Sequence, residues 1–82
     1  MHPIKILLRC VYDKKYLKLD ELEIVIRHRS EEGEFKCIDG GKITKVEKSG
    51  FHYGENDKEI FIPGHRIAMI RKKSGEIIAF KL

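Results

Sequence analysis

The sequence predicts an α+β fold, in which one N-terminal helix packs on a curled antiparallel sheet of about five or six short strands or on a small open barrel. Apolar residues recur at helical spacing only near the N-terminus, alternate with polar residues along the rest of the chain, and are interrupted by turn residues. Short connections without crossover helices require antiparallel pairing. The 82 residues fit a single domain, residues 1–82. One helix cannot cover a long flat sheet, so we expect the sheet to curl.

The composition of the chain limits the classes of protein to which it can belong. Hydrophobic residues make up 41% of the chain and charged residues 37%, which is typical of a globular domain. No apolar run approaches the roughly 20 residues of a membrane-spanning helix, and no secretory cleavage site follows the N-terminal apolar patch. We therefore expect a cytoplasmic protein with no membrane partner. Lys and Arg outnumber Asp and Glu by 17 to 13, a net charge of +4, which favours a polyanionic partner.

The two cysteines and four histidines raise the question of a metal site. Cys10 and Cys37 each lie among apolar residues, so we expect free, buried thiols in a reducing compartment. No Cys or His pair has the close spacing of a zinc motif, and Gly40-Gly41 is not followed by the Lys-Ser/Thr of a phosphate-binding loop. The sequence therefore predicts no metal ion and no cofactor.

The first predicted element is a helix over residues 3–12. Pro3 is tolerated in a first helical turn, where its missing amide would have no partner. Lys5 and Arg9 are four residues apart and share the polar face. The predicted apolar face consists of Ile4, Leu7, Leu8 and Val11.

A hairpin is predicted next, with strands at residues 22–29 and 34–38 and a turn at residues 30–33. One face of its first strand carries Leu22, Ile24, Ile26 and His28, and the other carries Glu23, Val25, Arg27 and Arg29. We expect His28 at the edge of the core. The arginines of the opposite face are either solvated charges or a weak anion contact.

The remaining predicted strands are short. Thr and Val favour a strand over a short helix at residues 42–48. Phe51 and Tyr53 share one face on either side of His52, and core positions are the better interpretation for both, although such aromatics also stack on unpaired bases. The further strands are predicted at residues 51–53, 59–62, 67–71 and 76–81.

The densest group of chemically useful residues is the turn Pro63-Gly64-His65-Arg66. Pro63 fixes the direction of the chain, and Gly64 allows a backbone angle that other residues resist, so His65 and Arg66 are aimed at one spot. A guanidinium offers a planar fork of donors to phosphate oxygens, and an imidazole donates or accepts. A phosphate site and a tight turn, whose His and Arg pair with local carboxylates or carbonyls, are equally good interpretations.

The same turn belongs to a longer signature, Ile62-Pro63-Gly64-His65-Arg66-Ile67. It resembles the Ile-Pro-x-His-Arg-Ile stretch near the C-terminus of a family of small, mostly archaeal proteins, the RNA cyclic group end recognition domains. The resemblance covers essentially the whole chain, and Leu8 and Tyr12 depart from the Asn and Trp that the family commonly has there. Other matching residues are Arg9, Asp13, His28, Arg29 and Arg71.

This resemblance implies recognition of cyclic phosphate ends of RNA. The residues that it assigns to ligand binding are His65, Arg66, Arg9 and Arg29, and we add Tyr12 as a further candidate ligand residue. In such a pocket the three guanidinium groups neutralise the phosphate and His65 donates to one of its oxygens. An aromatic ring, Tyr12 or Tyr53, stacks on the last base.

The resulting hypothesis is an RNA-binding module for 2′,3′-cyclic phosphate ends that works without catalysis, with RNA 3′ ends and RNA-processing proteins as partners. One alternative is an RNA end-processing phosphoesterase in which His65 acts with His28 or His52 as acid and base. Another is a protein-interaction module that uses a sheet edge. The sequence leaves the oligomeric state open.

Overall fold

The computed structural model describes residues 2–27 and 35–80. Over that part of the chain, one helix and seven strands form two antiparallel sheets. The helix is α1 (Pro3–Tyr12), and the strands are β1 (Leu22–Arg27), β2 (Phe35–Asp39), β3 (Ile43–Glu47), β4 (Gly50–Glu55), β5 (Lys58–Pro63), β6 (Ile67–Lys72) and β7 (Ile77–Phe80). The four-stranded sheet has the order β2-β1-β6-β7, and the three-stranded sheet has the order β3-β4-β5.

The predicted α+β class is confirmed, but the predicted number of strands is too low, and the strands described here do not close into a barrel. The chain changes sheets twice, each time at a single turn of 3₁₀ helix. Gly40–Lys42 leads from β2 into β3, and Gly64–Arg66 leads from β5 back into β6. Because a helical turn between two strands ends one ladder and redirects the chain, the strands divide between two sheets instead of continuing one.

Helix α1 has the predicted bounds. It begins after His2, whose Nδ1 accepts a hydrogen bond from the Ile4 amide at 3.2 Å, and it ends at Asp13, whose N–H donates to the Arg9 carbonyl at 2.8 Å. The predicted apolar face is only partly right, since Ile6 is buried and Val11 is exposed. The helix packs against β3 and β6, and its buried residues all lie in its first half. No helix in the described ranges has the length and apolar character that crossing a membrane requires.

The core lies where α1 and the inner faces of both sheets meet. The predicted alternation is confirmed for Leu22, Ile24 and Ile26, all of which are buried, whereas His28 lies outside the described residues. The core positions predicted for Phe51 and Tyr53 are confirmed as well. The other residues of this cluster are Ile4, Ile6, Leu7, Ile38, Ile62, Ile67 and Ile70.

A polar contact links the two sheets at one edge of the core. Lys36 of β2 points to the same side as buried Ile38, and its Nζ lies 3.0 Å from Glu55 Oε2 and 3.2 Å from Tyr53 Oη, both on β4. The hydrogen bond from Lys36 lowers the pKa of Glu55, and the hydrogen bond to Glu55 raises the pKa of Lys36. Both shifts mean that the ion pair favours the folded state.

Gly50 is required by a close approach of two strands. A Cβ there would lie 2.1 Å from the Ile62 carbonyl oxygen on β5, whereas a Cβ at Gly54 of the same strand would meet nothing nearer than 4.0 Å. We expect Gly50→Ala to lower the free energy of unfolding by about 2 kcal/mol or more, because backbone atoms must move apart. Gly54→Ala is the matched control and should change it by less than about 0.5 kcal/mol. Urea denaturation measures both, and equal losses would contradict the steric explanation.

The contribution of the Lys36–Glu55 pair should depend on pH. Because the pKa of Glu55 is lowered from its ordinary value of 4.5, its carboxylate stabilises the fold above that pH, and the contribution is lost as the pH falls through the lowered pKa. The difference in unfolding free energy between wild type and Glu55→Gln should therefore be positive at neutral pH and shrink in acid. Glu76→Gln is the control, since Glu76 lies 3.8 Å from Lys72 at an exposed position. A Glu55→Gln difference that stays constant down to low pH would contradict this account.

Candidate functional site

The outer face of the four-stranded sheet, opposite the core, carries a continuous row of apolar side chains. The strand registers pair Val25 with Cys37 on one side and with Met69 on the other, and Met69 in turn with Phe80. These four residues therefore cross all four strands in one line. Val25 is packed under its neighbours and Met69 is half-buried, while Cys37 and Phe80 are exposed on the edge strands.

Two phenylalanines turn this row into a groove. Phe35 on β2 and Phe80 on β7 are 59% and 57% exposed, and they stand on opposite edge strands of the sheet. Ala68 lies at the register shift that separates the pairs Val25–Met69 and Ile26–Ile67. The groove has a volume of about 560 Å³, and its lining consists of Val25, Arg27, Phe35, Cys37, Ala68, Met69, Arg71 and Phe80. We refer to it below as the aromatic groove.

Arginines flank the apolar row on both sides. Arg71 is already engaged, because its Nε lies 3.2 Å from Glu23 Oε1 and its Nη2 donates to Cys37 Sγ at 3.5 Å. Arg27 is paired with Phe35 in the β1–β2 register and is exposed. Within residues 2–27 and 35–80, Arg27 forms no ion pair with a carboxylate. Among these residues, the positive charge of the groove that has no carboxylate partner is therefore at the Arg27 end.

Arg66 is bonded to the main chain of Arg27, which lines this end of the groove. Its Nε and Nη2 both donate to the Arg27 carbonyl, at 3.1 and 2.9 Å. The last residue pair between β1 and β6 is Ile26–Ile67, so this carbonyl lies beyond the end of that ladder and the guanidinium supplies its donors. We call Arg27 and Arg66 the cationic corner. Two of the five N–H groups of Arg66 bond to this carbonyl, and the other three do not.

The turn that carries Arg66 is anchored at its start. The Gly64 N–H donates to the Ser49 carbonyl at 2.8 Å, and a Cβ at Gly64 would lie 3.3 Å from His2 Cε1 and 3.4 Å from Ile4 Cβ. The expectation that Gly64 adopts an angle closed to other residues is wrong, since Gly75 is the one glycine of the described ranges with positive φ. Gly64 therefore fits closely against the start of α1. Arg66 pairs with a carbonyl, as in the tight-turn interpretation, but that carbonyl is 39 positions away in the chain. The contact of Arg66 with phosphate stays a prediction.

The other predicted ligand residues are placed differently. The Nε of Arg9 lies 3.6 Å from Asp13 Oδ2, and its Cζ lies 4.0 Å from the centroid of the Tyr16 ring. Tyr12, at the end of α1, is 79% exposed. His65 is exposed on the Arg66 turn, and Arg29 lies outside the described residues. No described contact joins Arg9 or Tyr12 to the cationic corner, so a pocket that unites all five residues stays a prediction.

Two further residues that the sequence suggested as candidates lie on the three-stranded sheet. Tyr53 is only 3% exposed, so its suggested role in stacking on a base is wrong, because no face of the ring is open to a ligand. His52 has its Nε2 3.4 Å from Glu47 Oε2 and its ring centroid 4.9 Å from that of Phe61. Hydrogen bonds from Lys45 and His52 lower the pKa of Glu47. No described contact brings His52 to His65.

The sequence did not identify the aromatic groove, although part of its signal was present. Alternation correctly placed Val25 and Arg27 on the face of β1 opposite the core. Phe35, Met69 and Phe80 were missed because their proximity depends on the pairing of β1 with β6, which no local pattern reveals. Cys37 was expected to be buried but is exposed beside Arg71, and both cysteines are free as predicted.

The chain matches no protein-family model, no curated protein and no solved structure. Function is therefore inferred from the side chains described above.

Proposed function

We propose that this protein is an RNA-binding module that recognises phosphate-bearing RNA ends, including 2′,3′-cyclic phosphates, and binds them without catalysis. The observation that supports this proposal is the pair of hydrogen bonds that hold Arg66 on the Arg27 carbonyl. They bring a second guanidinium to the end of β1, where Arg27 is already exposed. Like charges gathered at an exposed site favour an anionic ligand.

The chemistry of the cationic corner suits a terminal phosphate. A cyclic phosphate carries one negative charge, and its two unesterified oxygens accept hydrogen bonds from the planar fork of a guanidinium. Arg66 is oriented by its backbone contact before any ligand arrives, so less side-chain entropy is lost on binding. His65 on the same turn is exposed, and its imidazole N–H is a further donor for a phosphate oxygen.

The described residues supply donors at this corner but no acid–base pair. A phosphoesterase would need a second group positioned to move a proton at the opposite oxygen. His52 lies on the three-stranded sheet with Glu47 and Phe61 as its neighbours. His28, the other partner suggested for His65, lies outside the described residues. The function that we propose is binding without ring opening, and RNA recovered after prolonged incubation with the protein should keep its cyclic end.

Recognition of the end should depend on Arg66. We expect wild-type protein to bind a short single-stranded RNA with a 3′-phosphate or 2′,3′-cyclic phosphate more tightly than the same RNA with a 3′-hydroxyl. Arg66→Ala should weaken binding of the phosphorylated RNAs about tenfold, because charge-assisted hydrogen bonds are lost, and should reduce the preference. Fluorescence anisotropy measures both.

Lys58→Ala is the matched control for Arg66→Ala, since it removes one exposed positive charge from the three-stranded sheet. It should leave the preference among the three ends unchanged. Equal affinity of the wild-type protein for all three ends would rule out end recognition.

Phosphate contacts should also appear in the salt dependence of binding. Each phosphate neutralised on a single strand contributes about −0.7 to the slope of log K against log salt concentration. Arg66→Ala should therefore make the slope shallower by about 0.7, while Lys58→Ala leaves it unchanged. The measurement is anisotropy titration between low and physiological salt. A slope that is the same in Arg66→Ala and wild type would show that Arg66 contacts no phosphate.

A further inference from the structure

We infer that the aromatic groove binds the base of the terminal nucleotide, stacked on Phe35, while the phosphate of that nucleotide lies at the cationic corner. This inference rests on the proposed function and extends it, because it assigns a base-binding site and requires an unpaired end. Aromatic side chains are the usual platforms for unpaired bases, since every base has a flat face that stacks on a ring.

The register of the four-stranded sheet places the two contacts side by side. Phe35 and Arg27 are directly opposite each other on β2 and β1, and directly opposite residues have Cβ atoms about 5 Å apart. Arg66 is bonded to the carbonyl of the same Arg27. A base stacked on Phe35 therefore has its own phosphate, and not that of a distant nucleotide, within reach of the Arg27 guanidinium, and Arg66 is bonded to the main chain of that residue.

The charge around the groove favours a nucleotide as its occupant. The floor of the groove, formed by Val25 and Met69, is apolar, but Arg27 stands at one end and Arg71 at the other. An aliphatic peptide segment complements the floor but offers no anion to Arg27, which pairs with no carboxylate within residues 2–27 and 35–80. A nucleotide complements both, because it combines a flat, weakly polar base with an anionic phosphate.

The size and shape of the groove favour one base over a duplex. Its volume of about 560 Å³ lies within the range of roughly 300–1,000 Å³ that is typical of small-molecule sites. Phe80 on the opposite edge strand forms its far wall. In a blunt duplex the terminal base is stacked and paired, so its entry into the groove carries the cost of unpairing. We therefore expect single-stranded ends to be preferred.

The test compares alanine variants of the exposed phenylalanines. Phe35→Ala should weaken binding of a single-stranded RNA with a terminal phosphate at least about fivefold, because one stacked base is lost. The same variant should bind an RNA whose last nucleotide keeps its phosphate but lacks its base as tightly as wild type does. Phe80→Ala should also weaken binding of the intact RNA. Phe61→Ala, which removes an exposed ring from the three-stranded sheet, is the control and should not.

A second readout uses the wild-type protein and so does not depend on the folding of any variant. The chain has two methionines, and Met69 lies on the floor of the groove. In protein labelled with ¹³C at the methionine methyl groups, the Met69 signal should shift when the phosphorylated RNA is added. The ring current of a stacked base acts directly on that methyl group. RNA that lacks the terminal base should leave the signal close to its free position.

The outcomes separate this inference from the proposed function. If RNA ends bind with the expected preference but Phe35→Ala binds normally and the Met69 signal does not move, the groove assignment is overturned and end recognition by the corner stands. If no RNA binds, the proposed function and the groove assignment both fall. A third outcome is that the Met69 signal shifts when the protein concentration is raised without RNA, and that sedimentation shows a dimer at the same concentrations. In that case the occupant is a second copy of the chain, and the inference is overturned.

Discussion

The pairing of β1 with β6 is the constraint on which the rest of the structure depends. It joins residues 22–27 to residues 67–72 and forms the centre of the four-stranded sheet. On the inner face it sets Ile24 beside Ile70 in the core. On the outer face it sets Val25 beside Met69, and at its end it brings Arg66 to a carbonyl 39 positions earlier in the chain. A shift of the β1–β6 register by one residue would exchange the inner and outer faces of one strand, and neither the core nor the groove would form.

The two faces of the four-stranded sheet have different surroundings. The inner face is buried by α1 and the three-stranded sheet, so its isoleucines stabilise the fold by leaving water. The outer apolar row has no such cover among the described residues. Antiparallel sheets usually carry polar residues on an uncovered face. The exposed rings of Phe35 and Phe80 bury only part of their surface on folding, and exposed apolar surfaces of this kind are typical of ligand contacts.

Much of the local structure was predictable from the sequence, and most of the assembly was not. The helix bounds followed from Pro3 and the spacing of Ile4 and Leu7, and the inward face of β1 followed from period-two alternation. The division into two sheets did not, because the 3₁₀ turns at Gly40–Lys42 and Gly64–Arg66 have no periodic signature. The same limit applies to the candidate site. Arg66 was identified from its turn, whereas Phe35 and Phe80 become neighbours of a common groove only after distant strands have paired.

The turn that carries Arg66 also shows why a structural role and a binding role are compatible in one side chain. A lysine has a single nitrogen, so binding a backbone carbonyl would use the same group that must meet a ligand. A guanidinium divides these tasks among three nitrogens. In Arg66, Nε and Nη2 satisfy the carbonyl at the end of β1, and the remaining donors are fixed in direction by the planar group. The contact at the end of the β1–β6 ladder therefore also orients the donors that we assign to the phosphate.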